Sequence, residues 1–373
     1  LMKKKNILFF YLSGRKEKIN GNIRYAEEMF YGYHYFNKNN YQTDIIEFST
    51  KKGVLNKIYF LLIEKKLRNI LKLPIYWSFL TSYSNLKQLT KSNYAIFSNN
   101  RVGFASLIII SIAKLFRKKP VTLCFVMGLF SRVPKYKFII FLQNILLRYF
   151  TNNMDKLIFL GKAEYDFACN KYPKKMKNFY ILPFSVDLKI WNVKNNIKKK
   201  RQILFVGNDG FRDFKFAEEI ANNFKDLNFV FVSQQISKSS LSGNSKVYNG
   251  SWGENSISDS ELSDLYNESY MTIVPLKNSL QPSGQSVTLQ SMACGTPVII
   301  SKTEGFWDNE NLNHNENIVF TNENDIETWK KHIEELLVDT EKYNKLRNNG
   351  LNTIKTKYDL NIFSQLIEKI LLN

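Results

Sequence analysis

"MTIVPLKNSLQPSGQSVTLQSMACGTPVIIS", Met271 to Ser301, holds a strand, a turn, a helix and a second strand in that order. MTIVPL is an apolar run of strand length, and Pro282-Ser283-Gly284 is a turn-forming triplet. A helix starting near Ser286 stops at Cys294-Gly295, and Pro297 leads into the second apolar run, VIIS. Two such runs flanking a helical segment imply a right-handed βαβ unit in a parallel sheet. Ser283, Ser286 and Gln290 fall at spacings of three and four, forming one polar stripe opposite a buried stripe of Leu289, Met292 and Ala293. Gln281 to Ile300 contains no carboxylate, histidine or lysine, so a ligand there meets amides and hydroxyls.

The same alternation runs outward through the chain. In the first half, strands are expected at 6–12, 43–48, 94–99, 121–126, 156–161 and 178–183, separated by helical stretches such as IRYAEEMFYGYHYF, FASLIIISIAKLF and AEYDFACNKY. QILFVG opens the second half, followed by NFVFVS, SKVYNG, MTIVPL, TPVIIS and NIVFT, and three helical segments end the chain. The expected fold is α/β, with two Rossmann-like doubly wound parallel-sheet domains facing a cleft. The expected limits are 1–192 for a basic first domain, 193–201 for a linker and 202–356 for a second domain. Residues 357–373 form a last helix whose candidate packing surface is the first domain.

A chain of 373 residues exceeds the size at which one core usually stops growing, which agrees with two domains. Hydrophobic residues at 44% and aromatics at 14% supply two cores. Cys124, Cys169 and Cys294 are scattered and show no metal-ligand spacing, which fits a reducing cytosol. KKKNILFFYLSGRKEK resembles a signal peptide in its basic start, but no small-residue cleavage site follows, and a buried first strand is the better reading. The longest later apolar run, FASLIIISIAKLF, is too short to span a bilayer.

The loops after the strands carry the candidate chemistry. In LFVGNDGFRDFKFAEEI, Gly207 and Gly210 let backbone approach a ligand, and Arg212 near the helix start can hold a diphosphate. An ordinary turn with a surface arginine is the competing reading, and the glycine spacing does not support a dinucleotide site. Ser283 and Gly284 offer hydroxyl and amide to phosphate oxygens, and the Gln290 amide can both donate to and accept from sugar hydroxyls. A Ser-capped packing helix would explain one serine but not the stripe. In NGNIRYAEEMF, Gly21 is expected just before a helix. His314 and His332 lie in polar segments and His34 in an aromatic one, and none is chosen as a general base.

These stretches resemble retaining glycosyltransferases of the GT-B fold, family 4 (glycosyl transferases group 1) type, over nearly the whole chain. INGNIRYAEEMF resembles the first-loop Gly-Gly turn, with Gly21-Asn22 in place of two glycines. LPFSVDLKIW resembles the stretch that ends the first domain, and LFVGNDGFRDFK resembles the strand and turn that carry the diphosphate-binding cation, with Arg212 near its place. SMACGTPVIIS matches the family pattern almost letter for letter. The resemblance implies a hexosyltransferase-type enzyme that moves a sugar from a UDP- or GDP-linked donor to a glycan or lipid-linked acceptor. Retention is implied, and no metal or cofactor is expected. It assigns Arg212 to the leaving diphosphate. Gln285 is the catalytic candidate beside it, as a substitute for a family glutamate, and Gly207, Asn208, Arg212, Ser283, Gly284, Gln285, Ser286 and Gln290 are the candidates for the donor nucleotide and diphosphate. Gly21 and Asn22 form the first-domain loop. The family has two glutamates eight apart here; Pro282 and Gln290 stand in their places. A glutamine can hold a ribose, whereas proline cannot contact the donor sugar. That departure keeps open the alternative of a non-catalytic GT-B-fold protein that binds glycan or nucleotide.

The formal net charge of +20 is unevenly placed. Residues 1–200 hold 37 Lys and Arg against 10 Asp and Glu, and residues 201–373 hold 16 against 23. Two basic stretches, 51–73 and 116–150, are also apolar and amphipathic, which points to an anionic membrane surface. Nucleic acid is not expected, because no recognition motif accompanies the charge. The expected location is cytoplasmic, peripheral on the inner face of the membrane, in envelope polysaccharide or glycolipid synthesis.

Overall fold

The computed structural model describes residues 4–21, 24–48, 59–241, 243–250 and 257–373. The first sheet contains β1 (Asn6–Tyr11), β2 (Gln42–Glu47), β3 (Tyr94–Phe97), β4 (Val121–Val126), β5 (Lys156–Phe159) and β6 (Phe179–Ile181), in the order β2-β1-β3-β4-β5-β6. The second contains β7 (Lys200–Val206), β8 (Asn228–Val232), β9 (Ser245–Tyr248), β10 (Ser269–Val274), β11 (Val298–Ser301) and β12 (Val319–Thr321), in the order β12-β11-β10-β7-β8-β9. Every neighbouring pair in both sheets is parallel. The strands are short apolar runs because helices cover both sheet faces, so successive side chains are buried in either direction. The two sheets therefore match two Rossmann-like domains.

The chain divides into two compact units: Leu1–Ile23, Phe30–Leu182 and Ser364–Asn373 form one, and Arg24–Met29 and Pro183–Phe363 the other. The chain passes from one to the other at Leu182–Pro183, ahead of 193–201. Within that later stretch Lys194 N donates to Asn267 Oδ1 (2.8 Å), and Lys199 Nζ donates to the Ser269 carbonyl (2.9 Å). The last helix, Leu360–Leu372, contributes Glu368 to the first unit, where it accepts from the Tyr35 and Tyr41 hydroxyls at 2.7 Å each.

Each unit has its own core. Phe10, Phe97, Phe104 and Phe150 lie in the first, with the Phe104 and Phe150 rings stacked at 4.5 Å. Phe205, Phe231, Ile299 and Trp329 lie in the second. Fully burying one such side chain contributes about 1.5–3 kcal/mol.

Two expected helices, and the expected place of Gly21, differ from what is observed. IRYAEEMFYGYHYF is not continuous: Glu27–Phe30 is a 3-10 turn, Tyr31 (φ 49°) and Gly32 (φ 89°) break the chain, and a helix resumes over Tyr33–Lys38. FASLIIISIAKLF divides at Ser106 into Asn100–Ala105 and Leu107–Leu115, with Ser106 Oγ bonded back to the Val102 carbonyl. Gly21 does not precede a helix; it ends one, Arg15–Asn20, with its N–H on the Glu17 carbonyl. That helix buries none of its side chains, so its sequence shows no apolar periodicity. Asn22 lies outside the described residues.

Candidate functional site

In the second sheet, the order reverses between β7 and β10, and the loops leaving their C-terminal ends lie at that switch point. The two loops are joined by backbone hydrogen bonds. Asp213 N donates to the Pro275 carbonyl (3.0 Å), and Lys277 N to the Phe211 carbonyl (2.8 Å). Residues 207–212 and 275–284 thus form one surface.

Gly207 is at φ +155°, and a Cβ there would lie 2.3 Å from Arg212 Nε. The Arg212 side chain crosses this glycine, so only hydrogen fits beneath it. Its Nε donates to the Val206 carbonyl (3.4 Å), and the residue is 3% exposed. Its NH1 makes no hydrogen bond among the described residues, and Asp209 Oδ2 stands 3.4 Å away. Burial lowers the guanidinium pKa, opposed by the charge of Asp209; an arginine so placed still remains a cation. Asp209 supplies a charge without a hydrogen bond, and a buried donor left in that state is costly.

The turn supplies the facing groups. Gly284 is at φ +86°, and a Cβ on it would lie 3.4 Å from Arg212 NH1. The Ser283 hydroxyl is buried with no hydrogen-bond partner among the described residues, and so is Thr288 Oγ1 one turn later. The helix Gln285–Ala293 starts at Gly284, so its first amides open beside Arg212. Arg212, Ser283 and Gly284 are therefore brought together, with a donor set suited to a phosphate oxygen.

The polar stripe expected to meet a ligand is largely covered by protein. Gln285 and Gln290 are buried, Ser286 is half-buried, and residues on every side of the helix are covered. Ser291 on the same helix donates to Thr272 Oγ1 (2.8 Å), which shows how its polarity is absorbed internally. Asn208 is exposed, yet its amide holds neighbouring loops: Oδ1 accepts from Gln234 N (2.7 Å) and Nδ2 donates to the Gly250 carbonyl (2.6 Å).

Gln290 meets a partner to which no local pattern pairs it. Its Nε2 donates to Glu28 Oε1 (3.1 Å), and its Oε1 accepts from the Tyr266 hydroxyl (3.3 Å). Glu28 belongs to the Arg24–Met29 segment of the same unit. Its carboxylate also accepts from Trp191 Nε1 (2.7 Å) and Asp187 N (3.2 Å). Burial pushes this carboxyl up to about 7, against the pull of those hydrogen bonds. The available signal was an Glu27-Glu28 pair in an acid-poor half of the chain.

Residues 189–353 match the family model described as Glycosyl transferases group 1. No curated protein matches the chain by sequence. Among solved structures, the chain is similar to sucrose-phosphate synthase from Thermosynechococcus elongatus, at 13% identity and TM-score 0.68, covering 98% of each chain. It is similar to Anabaena HepE in complex with UDP and glucose, at 12% identity and TM-score 0.64, covering 98% of this chain and 99% of that one. It is also similar to an alpha-glucosyltransferase in complex with UDP-glucose and abasic-site DNA, at 14% identity and TM-score 0.62, covering both chains fully (100%). At such identities the structures establish the shared GT-B fold, and the family match places a group 1 glycosyltransferase domain over 189–353 of this chain.

Proposed function

We propose that this protein transfers a sugar from a UDP- or GDP-linked donor to a glycan or lipid-linked acceptor of the cell envelope, with retention, as enzymes of family 4 type do. One observation carries the donor side: the unsatisfied Arg212 NH1 and Ser283 hydroxyl, both buried, flank the Gly284 turn at the switch point. A diphosphate there satisfies both donors and the first amides of the helix 285–293. As the sugar–oxygen bond breaks, its electron pair moves onto the diphosphate, where Arg212 stabilises it. The acceptor hydroxyl attacks the same face of the sugar and gives its proton to the departing phosphate oxygen. This scheme asks for no protein nucleophile and no metal. Gln285 and Ser286 complete the donor contacts, and Gln290, held by Glu28 and Tyr266, presents its remaining amide valences to the nucleotide.

Calorimetry with UDP, GDP and ADP tests this: one of them binds, and heat from none of the three overturns the reading. A screen of nucleotide sugars for hydrolysis then identifies the donor. Pro282, buried where the family places a sugar-contacting glutamate, favours a second reading in which the protein binds nucleotide or glycan without catalysis. Nucleotide binding with no turnover of any donor selects that one.

A further inference from the structure

The helix Lys137–Asn153 in the first unit is apolar on two sides. Gln143, Leu147 and Phe150 face inward, with Ile139 and Leu146 packed against the core. A second stripe, Phe138, Phe141, Ile145 and Tyr149, follows helical spacing on the outer side, and Phe138 and Phe141 are 69% and 60% exposed. Core packing explains the first stripe only. The outer one continues onto the helix Leu107–Leu115, because the Tyr149 hydroxyl lies 2.6 Å from Ser111 Oγ. Ile108 and Leu115, three and four residues to either side of Ser111, are exposed, Leu115 by 81%, and Phe116 beside it is exposed too.

The charge around this face has one sign. Residues 59–72, 107–118 and 131–153 hold eleven Lys and Arg and a single carboxylate, Glu64. Glu64 is buried and accepts from Ser78 N and Oγ at 2.7 Å each, so it does not offset the field. A second copy is a poor occupant, since a two-fold contact would set these cations against themselves. Nucleic acid fits the charge but not the aliphatic part of the face, since exposed Ile108, Leu115 and Ile145 offer no ring on which a base can stack. An anionic bilayer fits both: aromatic and aliphatic side chains enter the acyl boundary while lysines and arginines reach headgroup phosphates. No described helix is long and apolar enough to cross a membrane, so the contact is with one surface.

We propose that this face docks the first unit on an anionic lipid bilayer, with Phe138, Phe141, Ile145, Leu115 and Phe116 inserted and Lys114, Lys135, Lys137 and Arg148 on the headgroups. This deepens the transferase reading by setting the acceptor at the membrane, and to that extent it rests on that reading. The test is co-sedimentation of the full chain with phosphatidylcholine vesicles, with and without about one third phosphatidylglycerol. Wild-type protein should bind the anionic vesicles and release with added salt. Phe138→Ser with Phe141→Ser should weaken binding by about ten-fold or more, and Lys135→Glu with Lys137→Glu by about five-fold per cation. Both variants should keep wild-type circular dichroism and nucleotide affinity. Equal binding to neutral vesicles, or unchanged binding by both variants, overturns the proposal. So does a dimer abolished by the Phe pair in the absence of vesicle binding, or a DNA duplex that displaces the vesicles. If wild type binds vesicles as expected but no nucleoside diphosphate, the transferase reading fails and the membrane face stands.

Discussion

Two loops, one in each unit, handle a cluster of buried donors in opposite ways. After β4, the backbone amides of Gly128 and Phe130 point at the carboxylate of Glu164, at 2.8 and 3.0 Å, so the chain supplies its own anion. After β7 and β10, Arg212 NH1 has the Asp209 carboxylate 3.4 Å away but no hydrogen bond, and the Ser283 hydroxyl has no hydrogen-bond partner among the described residues. Buried donors left without partners are costly. The first loop is thus satisfied from within, whereas the second keeps donors that the proposed diphosphate would satisfy.

The most severe loss expected is structural. Glu164→Ala strips the amides of their acceptor and should destabilise the protein by about 3–5 kcal/mol, read as a lowered midpoint in urea, while nucleotide affinity of the folded fraction is unchanged. Arg212→Ala should act mainly on the ligand. It should lower the midpoint less than Glu164→Ala, through the lost Val206 hydrogen bond and packing over Gly207, and weaken UDP binding by about 100-fold, but uridine binding much less; equal losses for both ligands would remove the diphosphate role. If Glu164→Ala proved harmless to stability and Arg212→Ala harmful, the comparison would be inverted.

The next effect is a pH dependence. Burial raises the carboxyls of Glu28 and Glu164 from about 4.5 to about 7. A raised carboxyl means the folded state holds protons that the unfolded chain has released. Stability from each group is therefore full below the unfolded value and lost as pH rises through about 7. The shift corresponds to at most about 3 kcal/mol per group. Melting temperatures across pH 5–8 should fall in wild type and fall less in Glu28→Gln. The two glutamates then part company. Glu28 touches Gln290, so Glu28→Gln should also flatten the pH dependence of nucleotide affinity, whereas Glu164→Gln should leave it alone. An identical response in both variants would show that Gln290 is outside the nucleotide site.

The strands were legible because each is a short apolar run with polar neighbours, and their alternation with helices made the sheets parallel, whereas the order of strands within each sheet came from the structure. Gly207 and Arg212 were legible as a pair, since a glycine turn before a helix has a local signature. Glu28 was not, because its partners Asp187, Trp191 and Gln290 lie 159 to 262 residues away and no local periodicity encodes the meeting. The break at Tyr31 was hidden because tyrosine rarely takes a positive φ, and its apolar pattern continues across the break. Polarity elsewhere on the helix 285–293 has an internal partner. Side-chain polarity there signals internal hydrogen bonds such as Ser291 to Thr272, rather than exposure.

The finest test of the two-loop comparison is Ser283→Ala. The hydroxyl is buried and bonds to nothing described, so removing it should not cost the unliganded protein stability and should raise it by about 0.5–1 kcal/mol. The same change takes one donor from the diphosphate and should weaken UDP binding by about five- to ten-fold. A serine serving as an ordinary helix cap gives the opposite pair of results, lower stability and unchanged affinity. Chemical denaturation and calorimetry on this one variant therefore separate a site residue from a structural one. The signs decide it even if the magnitudes are small.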